Sequence, residues 1–450
     1  MPAMRSRVSF PPGFFSAMTI SDLIERVPDP AGVRAKVHAL LKLGGTAMIV
    51  TPRTSGISRR AMGKRCMQLQ LEHSFNMRLT PPQGRPSDRI PELDGVRGCA
   101  IAMVLLFHFR LDLPQNRILE YVLSWGWAGV NLFFALSGFL ITHILLRTLG
   151  RSDYFRSFYL RRALRIFPVY YWTLIAVGLL FGVIPALQPA LPSAHDRIFY
   201  WFYLSNWTPL LDRINQGALG HFWSLAVEEQ FYWLWPLVIF LVPARRLAWV
   251  AGGVFASALL FRFTFLSAHF FIHWNTFGNT DSLMVGALSA TAWQTPALAR
   301  WMADRVNYLG IAVLAIGASV VIGDRLLGPQ YTDTIGTSGL ALAFGALLWH
   351  AALGPRWLRA TFRSPALTTL GKYSYGIYVY HQPLYFALMQ LHVVRHGWAM
   401  FTVAMTASIG LAVLSFELAE KRILRLKEGG VRPEFSRSKP DSRPTQDTPA

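Results

Sequence analysis

Apolar runs of about 20 residues recur along this chain, and they constrain its fold more than any other feature of the sequence. A run of this length crosses the hydrocarbon core of a bilayer as one α-helix. Charged residues make up only 15% of the 450 residues, whereas a soluble domain has about 25%. The sequence therefore predicts an all-α, polytopic membrane protein that is embedded in the lipid bilayer.

Charge asymmetry between the loops favours about ten transmembrane helices, because Lys and Arg concentrate in cytoplasmic loops. Ten spans put both termini and the basic segment 147–165 in the cytoplasm. The aromatic segment 198–211 is then predicted to stay at the outer surface, since its crossing would move Arg245 and Arg246 outside. The predicted spans cover residues 93–109, 125–146, 166–184, 222–242, 247–267, 280–293, 308–322, 335–353, 370–391 and 398–419.

The flanks differ from this membrane domain in composition. Residues 1–92 are basic and rich in proline, and we predict a largely disordered cytosolic leader before a membrane domain at 93–422. The segment 423–450 is predicted to be a disordered cytosolic tail. The net charge of +20 lies mainly beside the spans, which favours membrane orientation over nucleic-acid binding. The two cysteines, Cys66 and Cys99, indicate neither a disulfide framework nor a metal site.

The first predicted span carries two ionisable residues, Arg97 and His108. They are 11 positions apart, so in an α-helix both side chains project from nearly the same face, roughly 16 Å apart along the axis. Ionisable residues within a span are costly and usually face a partner or a water-filled cavity. The pair is therefore a candidate functional site. The alternative is that Arg97 extends to the headgroups and His108 packs within the bundle.

The start of the fourth predicted span places several polar residues on an otherwise apolar helix. His221, Ser224 and Glu228 lie on one face because they are three and four positions apart. Glu229 is adjacent, and the alternative role of both carboxylates is to stabilise the helix N-terminus. We predict that Glu228 meets His108 at a similar depth and orients its imidazole, so that the two form a general-base pair.

Three arginines precede the third predicted span. Arg161, Arg162 and Arg165 are helical neighbours, and they lie on the same predicted side of the membrane as Arg97. Guanidinium groups bind phosphate through two parallel hydrogen bonds. The four residues therefore predict a clamp for a phosphate-bearing ligand, and the alternative is an orientation signal without a ligand.

Three further polar residues are candidates for lining a cavity. Asn131 lies on a helix whose Gly138 allows close approach of a neighbour, and Asp281 either caps the sixth span or has a function. His381 precedes Pro383, so it either lines the cavity or satisfies carbonyl groups that the proline leaves free. These residues are compatible with two classes of function: an enzyme that moves an acyl group, and a proton-coupled transporter.

Five motifs follow one another along the membrane domain, at residues 93–108, 129–141, 161–168, 222–232 and 373–384. The first separates Arg97 from His108 by ten intervening residues. The third contains the three arginines, and the fourth includes Trp223, which becomes a further cavity candidate. Together the motifs resemble those of the acyltransferase family 3 integral membrane proteins, which O-acylate sugars and other hydroxylated acceptors.

This resemblance implies a multi-pass enzyme of the cell inner membrane. The enzyme would transfer an acyl group, most often acetyl, from cytosolic acyl-CoA to a hydroxyl group of a glycan or glycosylated small molecule. Acyl-CoA is then a donor substrate, and no cofactor is permanently bound. The resemblance implies that His108 is the catalytic base and that Arg97 and the arginines of 161–165 bind the donor, whereas Asn131 replaces an acidic residue common in the family. The second hypothesis is a proton-coupled exporter that uses Arg97, His108 and Glu228 as a relay.

Overall fold

The computed structural model describes residues 17–20, 46–49, 90–113, 116–211, 217–267 and 269–423. The chain divides into two units, Met1–Pro86 and Ser87–Ala450. In the first unit, strands β1 (Ala17–Ile20) and β2 (Thr46–Ile49) pair in parallel. The predicted disorder of the leader and of the tail otherwise concerns residues that lie outside the described ranges.

The described part of the second unit is helical. Its α-helices are α1 (Pro91–Phe109), α2 (Arg117–Ser124), α3 (Ala128–Thr148), α4 (Tyr154–Val183), α5 (Arg197–Trp201), α6 (Phe222–Leu241), α7 (Ala244–Thr264), α8 (His269–Trp274), α9 (Thr276–Gln294), α10 (Pro296–Asp304), α11 (Val306–Leu327), α12 (Pro329–Tyr331), α13 (Thr337–Leu353), α14 (Arg356–Phe362), α15 (Pro365–Gln390) and α16 (Trp398–Ser415). Short 3₁₀ segments lie at Arg110–Asp112, Trp125–Trp127, Pro185–Ala190 and Ser205–Leu211, and π-helical segments at Thr332–Gly336 and Phe416–Glu420.

Six helical stretches of the described residues are long and apolar enough to cross a membrane. In α11 only 11% of the most apolar 18-residue stretch is buried inside the bundle, and the side chain of Leu314 on this helix is 74% exposed. Apolar surface of this kind is costly in water and is covered by lipid tails in a bilayer. The predicted helical membrane protein is therefore confirmed. The six stretches are Arg117–Thr148, Tyr154–Val183, Ala244–Thr264, Val306–Leu327, Pro329–Leu353 and Trp398–Ile423.

The other four predicted spans are also helical and correspond to α1, α6, α9 and α15. They are not among the six most apolar long stretches, and each of them carries buried polar residues. The segment 198–211 forms only α5 and a 3₁₀ turn. At about 1.5 Å per residue in α5 and about 2.0 Å in the 3₁₀ turn, neither is long enough to cross a bilayer. The location of this segment at the outer surface stays a prediction.

Glycines bring helix backbones into direct contact within the bundle. A Cβ atom on Gly371 of α15 would lie 1.9 Å from the carbonyl oxygen of Asp94 in α1. Helices α3 and α9 cross in the same way, since a Cβ atom on Gly138 would lie 2.0 Å from the carbonyl oxygen of Leu283. Small residues allow this approach between helices in lipid. The predicted packing role of Gly138 is confirmed.

Ion pairs tie the ends of these helices together. Glu92 at the start of α1 lies 2.9 Å from Arg359 and 2.8 Å from Arg363, and its side chain is only 2% exposed. Glu417, just beyond α16, lies 3.0 Å from Lys372 of α15. The pairs fix α14 against α1 and the end of α16 against α15, so the helix that carries Arg97 and His108 has a defined position in the bundle.

Candidate active site

A cavity lies inside the bundle between α1, α3, α4, α6 and α15. Polar side chains gather along it although the surrounding helices are largely apolar, which is the usual character of a binding site. Its polar lining residues are Arg97, Ser137, Arg162, Arg165, Ser224, Glu228, Glu229, Tyr232, Ser374, Tyr375 and Tyr378.

The cavity arginines come from two helices. Arg97 is on the second turn of α1, and Arg162 and Arg165 are close to one turn apart on α4. Arg97 also lies 3.6 Å from the Asp94 carboxylate. Arg161 is exposed and is not among the lining residues. Of the four arginines predicted to form a clamp, the structure thus brings three to one cavity.

The Glu228 carboxylate faces the same cavity. It accepts hydrogen bonds from the hydroxyl groups of Ser137, at 2.7 Å, and Tyr232, at 3.3 Å. The neighbouring Glu229 is 3% exposed, and its buried Oε1 atom has no hydrogen-bond partner. Both carboxyl groups therefore belong to the cavity that also holds Arg97, Arg162 and Arg165. Sequence reasoning missed Tyr232, although it lies one helical turn after Glu228.

Three histidines from three parts of the chain meet beyond this cavity. His108 is at the end of α1, His221 immediately precedes α6, and His381 lies in α15 two residues before Pro383. The ring centroid of His381 is 4.8 Å from that of His108 and 4.7 Å from that of His221. His381 is 0% exposed and His221 is 4% exposed. The sequence named these residues as candidates but did not predict that all three meet.

Hydrogen bonds to the helix backbone determine which nitrogen is protonated in two of the rings. Nδ1 of His108 lies 2.9 Å from the carbonyl oxygen of Val104, and Nδ1 of His381 lies 2.6 Å from that of Tyr378. A carbonyl oxygen can only accept, so Nδ1 carries the hydrogen in both rings. In the neutral state each Nε2 atom then has a free lone pair that can accept a proton.

A serine–tyrosine pair connects the cavity with the histidine cluster. The hydroxyl oxygens of Ser224 and Tyr378 are 2.5 Å apart. Each also lies 3.1 Å from the carbonyl oxygen of His221. Because a hydroxyl group carries one hydrogen, one of the two donates to this carbonyl oxygen while the other donates within the pair. Because both side chains line the cavity, a group that moves from the cavity towards the histidines meets this pair first.

The predicted contact between His108 and Glu228 differs from what the structure shows. No hydrogen bond joins the two among the described residues, and Glu228 bonds Ser137 and Tyr232 instead. Glu228 is seven residues beyond His221, which is about 10 Å along a helix, so it lies deeper in the bundle than the histidine cluster. Sequence spacing defines the face of each helix and leaves the relative depth of two helices open.

The remaining candidates do not line the cavity. Asn131 donates a hydrogen bond to Ser282 at 3.4 Å. Asp281 forms a buried ion pair with Arg262, with a nitrogen–oxygen distance of 2.7 Å, and this contact accounts for an acidic residue in the span. The ring of Trp223 packs among other aromatic rings. Within the described ranges, no group of three or more His, Cys, Asp or Glu side chains is arranged to hold a metal ion.

Comparison with known proteins adds independent information. A family model of the acyltransferase 3 type, described as an acyltransferase domain, matches residues 90–417. O-acetyltransferase OatA of Staphylococcus aureus strain NCTC 8325 / PS 47 is 28% identical over 367 residues, which are 74% of this chain and 57% of that protein. The protein of the same name from strain COL has the same identity and coverage. The chain thus spans little more than half the length of these relatives. No solved structure matches the chain.

Proposed function

This chain belongs to the acyltransferase 3 family, and we propose that it is a membrane O-acyltransferase that uses acyl-CoA as donor and a hydroxyl group as acceptor. One observation carries the proposal: the arginines, the polar cavity, the Ser224–Tyr378 pair and the histidine cluster follow one another through the bundle. Such a path supports a donor that is held by its phosphates at one end and reacts at the other.

The arginines suit the phosphate groups of the donor. Arg97, Arg162 and Arg165 share one cavity, and guanidinium groups bind phosphate oxygens through two parallel hydrogen bonds. We propose that the donor comes from the cytoplasm, since basic helix ends favour that side. Its acyl end then extends along α1 towards His108, roughly 16 Å from Arg97 along the helix axis.

His108 acts as the general base in this proposal. An acceptor hydroxyl is a weak nucleophile unless a base removes its proton as it attacks the thioester carbonyl carbon. The free lone pair on Nε2 of His108 takes this proton, and the departing thiolate receives it when the carbon–sulfur bond breaks. Glu228 offsets arginine charge in the cavity and does not act on His108 directly.

The acceptor would react near the outer face of the inner membrane. In the proposed topology, the six apolar stretches and the helices α1, α6, α9 and α15 are ten spans. Both termini then lie in the cytoplasm, and His108 lies close to the outer surface. Relatives named O-acetyltransferase support acetyl as the acyl group. We propose a glycan or a glycosylated small molecule as the acceptor.

Mass spectrometry of cells with and without the gene tests this function. Envelope glycans or secreted metabolites should gain one acetyl mass when the wild-type gene is restored. A metabolite that accumulates inside deletion cells at unchanged mass, with no acetylated product in wild-type cells, would favour the exporter hypothesis instead.

Purified protein with acetyl-CoA then tests the base. His108→Gln should bind acetyl-CoA normally, but its turnover should fall by roughly 10²–10⁴-fold, because an amide cannot accept the proton effectively. The matched control is His195→Gln at an exposed histidine, which should turn over at the wild-type rate. Near-normal turnover of His108→Gln would show that His108 is not the base.

A further inference from the structure

We infer that His221 is a further catalytic residue: its ring N–H donates a hydrogen bond to the oxyanion that forms on the thioester carbonyl. This inference rests on the proposed acyl transfer and adds a second imidazole with a different task. His108 accepts the proton of the acceptor hydroxyl, whereas His221 stabilises the negative charge that the attack creates.

His221 differs from the other two histidines of the cluster in the hydrogen bonds of its ring. A neutral imidazole has one N–H group, and in His108 and His381 the carbonyl oxygens of Val104 and Tyr378 already accept it. Neither ring nitrogen of His221 has a hydrogen-bond partner, although the residue is only 4% exposed. A buried polar group without a partner costs about 1–3 kcal/mol, so an N–H of this kind is a favourable donor for a ligand oxygen.

His381 does not compete for this task. Its Nε2 atom is also buried without a partner, but it carries a lone pair in the neutral ring, because Nδ1 holds the hydrogen. A lone pair would repel an oxyanion. The ring of His381 instead packs against the rings of His108 and His221.

The position of His221 suits a donor that does not move. Its backbone N–H donates to Oε1 of Gln382 at 3.1 Å, and its carbonyl oxygen lies 3.1 Å from the hydroxyl oxygens of Ser224 and Tyr378. The ring itself lies 5.2 Å from the Tyr378 ring, centroid to centroid. These contacts hold the residue next to Ser224 and Tyr378, which line the cavity, and a donor that is already oriented stabilises a developing charge without reorganisation.

The step balances without a further reactant. The acceptor oxygen forms a bond to the thioester carbonyl carbon, its proton moves to Nε2 of His108, and the carbonyl electron pair moves onto the oxygen that His221 holds. The pair then returns to carbon, the carbon–sulfur bond breaks, and the thiolate takes the proton from His108. The products are an O-acyl ester and free coenzyme A.

Amide substitutions distinguish a donor from a base. Gln can donate a hydrogen bond but cannot serve as an effective base, so it should rescue His221 and not His108. We would measure turnover of His221→Gln, His221→Leu and His108→Gln in reconstituted protein. Labelled acetyl-CoA would be the donor, and the glycan fraction of the producing cells would be the acceptor.

The turnover of His221→Leu is expected to fall by about 10²–10³-fold, as after the removal of one oxyanion donor. Its KM for acetyl-CoA should not change. The fall in turnover of His221→Gln should be at least ten times smaller than that of His221→Leu. If the leucine variant fails to fold, the comparison is made with His108→Gln instead. Thermal unfolding of each variant in detergent identifies such a failure.

Two results would overturn the inference while leaving the proposed function intact: wild-type turnover in folded His221→Leu, or a loss in His221→Gln as large as that in His108→Gln. Wild-type protein that transfers no label to any acceptor would refute the proposed function itself, and the inference with it.

Discussion

Replacement of Gly371 by alanine tests whether the close crossing of α1 and α15 positions the site. The added Cβ atom would lie 1.9 Å from the carbonyl oxygen of Asp94, whereas ordinary contact begins at 3.4 Å. The obstructing atom belongs to the backbone and cannot rotate away as a side chain can. The two helices must therefore part by about 1.5 Å, the difference between these distances.

This separation acts on the reacting groups because they are carried by the same two helices. Helix α1 holds Arg97 and His108, and α15 holds Tyr378 and His381. A misplacement of about 1 Å can cost on the order of 10²-fold in rate. We expect Gly371→Ala to lower turnover by about this factor, with a fall in the melting temperature as the packing loosens.

The assay is acetyl transfer by protein in lipid nanodiscs, with the melting temperature measured on the same samples. Gly178→Ala in α4 is the matched control, because no atom lies within 4 Å of the added Cβ atom. This control should keep its turnover, and it should gain up to about 1 kcal/mol of stability from the better helix propensity of alanine. Wild-type turnover in Gly371→Ala would refute the argument that the crossing positions the site.

Four further outcomes are expected. Arg262→Met should lower the free energy of unfolding in mixed micelles by about 3–5 kcal/mol, because it leaves the Asp281 charge buried and unpaired; adding Asp281→Leu should recover most of this loss, and additive losses would contradict the pairing. Arg162→Lys should raise the KM for acetyl-CoA about tenfold, through roughly 1.5 kcal/mol of lost bidentate binding, and an unchanged KM would leave Arg162 with an orientation role only. Cysteine at Arg246 should resist a membrane-impermeant thiol reagent added outside, whereas ready labelling would refute the ten-span topology. Protein that begins at Met77 should insert and acylate normally, and a stable but inactive product would show that the leader has a function.

The helical membrane class follows from sequence because it depends on the length and hydropathy of local segments. Most of the ionisable residues that line the cavity could also be predicted from sequence, because they lie in or beside apolar runs. They are Arg97, Arg162, Arg165, Glu228 and Glu229. The alternation of spans and basic loops uses the same local information. No long-range contact is needed for any of these predictions.

The contact partners of each residue were harder to predict from sequence, because they depend on how far one helix is shifted along another. His108 and Glu228 lie on suitable faces, yet the structure pairs Glu228 with Ser137 and groups His108 with His381. The ion pair of Asp281 with Arg262 joins α9 to α7, and no periodicity within either helix predicts it. Tyr378 lies within a recognised motif, but only its contact with Ser224 shows that it stands at the end of the cavity.

The pairing of α1 with the distant helices α14 and α15 has a consequence for biosynthesis. Glu92 and its partner Arg359 are separated by 267 residues, and ribosomes add about 5–20 residues per second. The first helix is therefore made on the order of 10–50 s before its partners exist. During this time Glu92 lacks its arginine partners and His108 lacks His381, so the nascent first helix must be held by the insertion machinery or tolerate polar groups at the lipid surface. A ribosome that stalls before α15 leaves a product in which this helix is permanently unpaired, which is a form that membrane quality control can recognise.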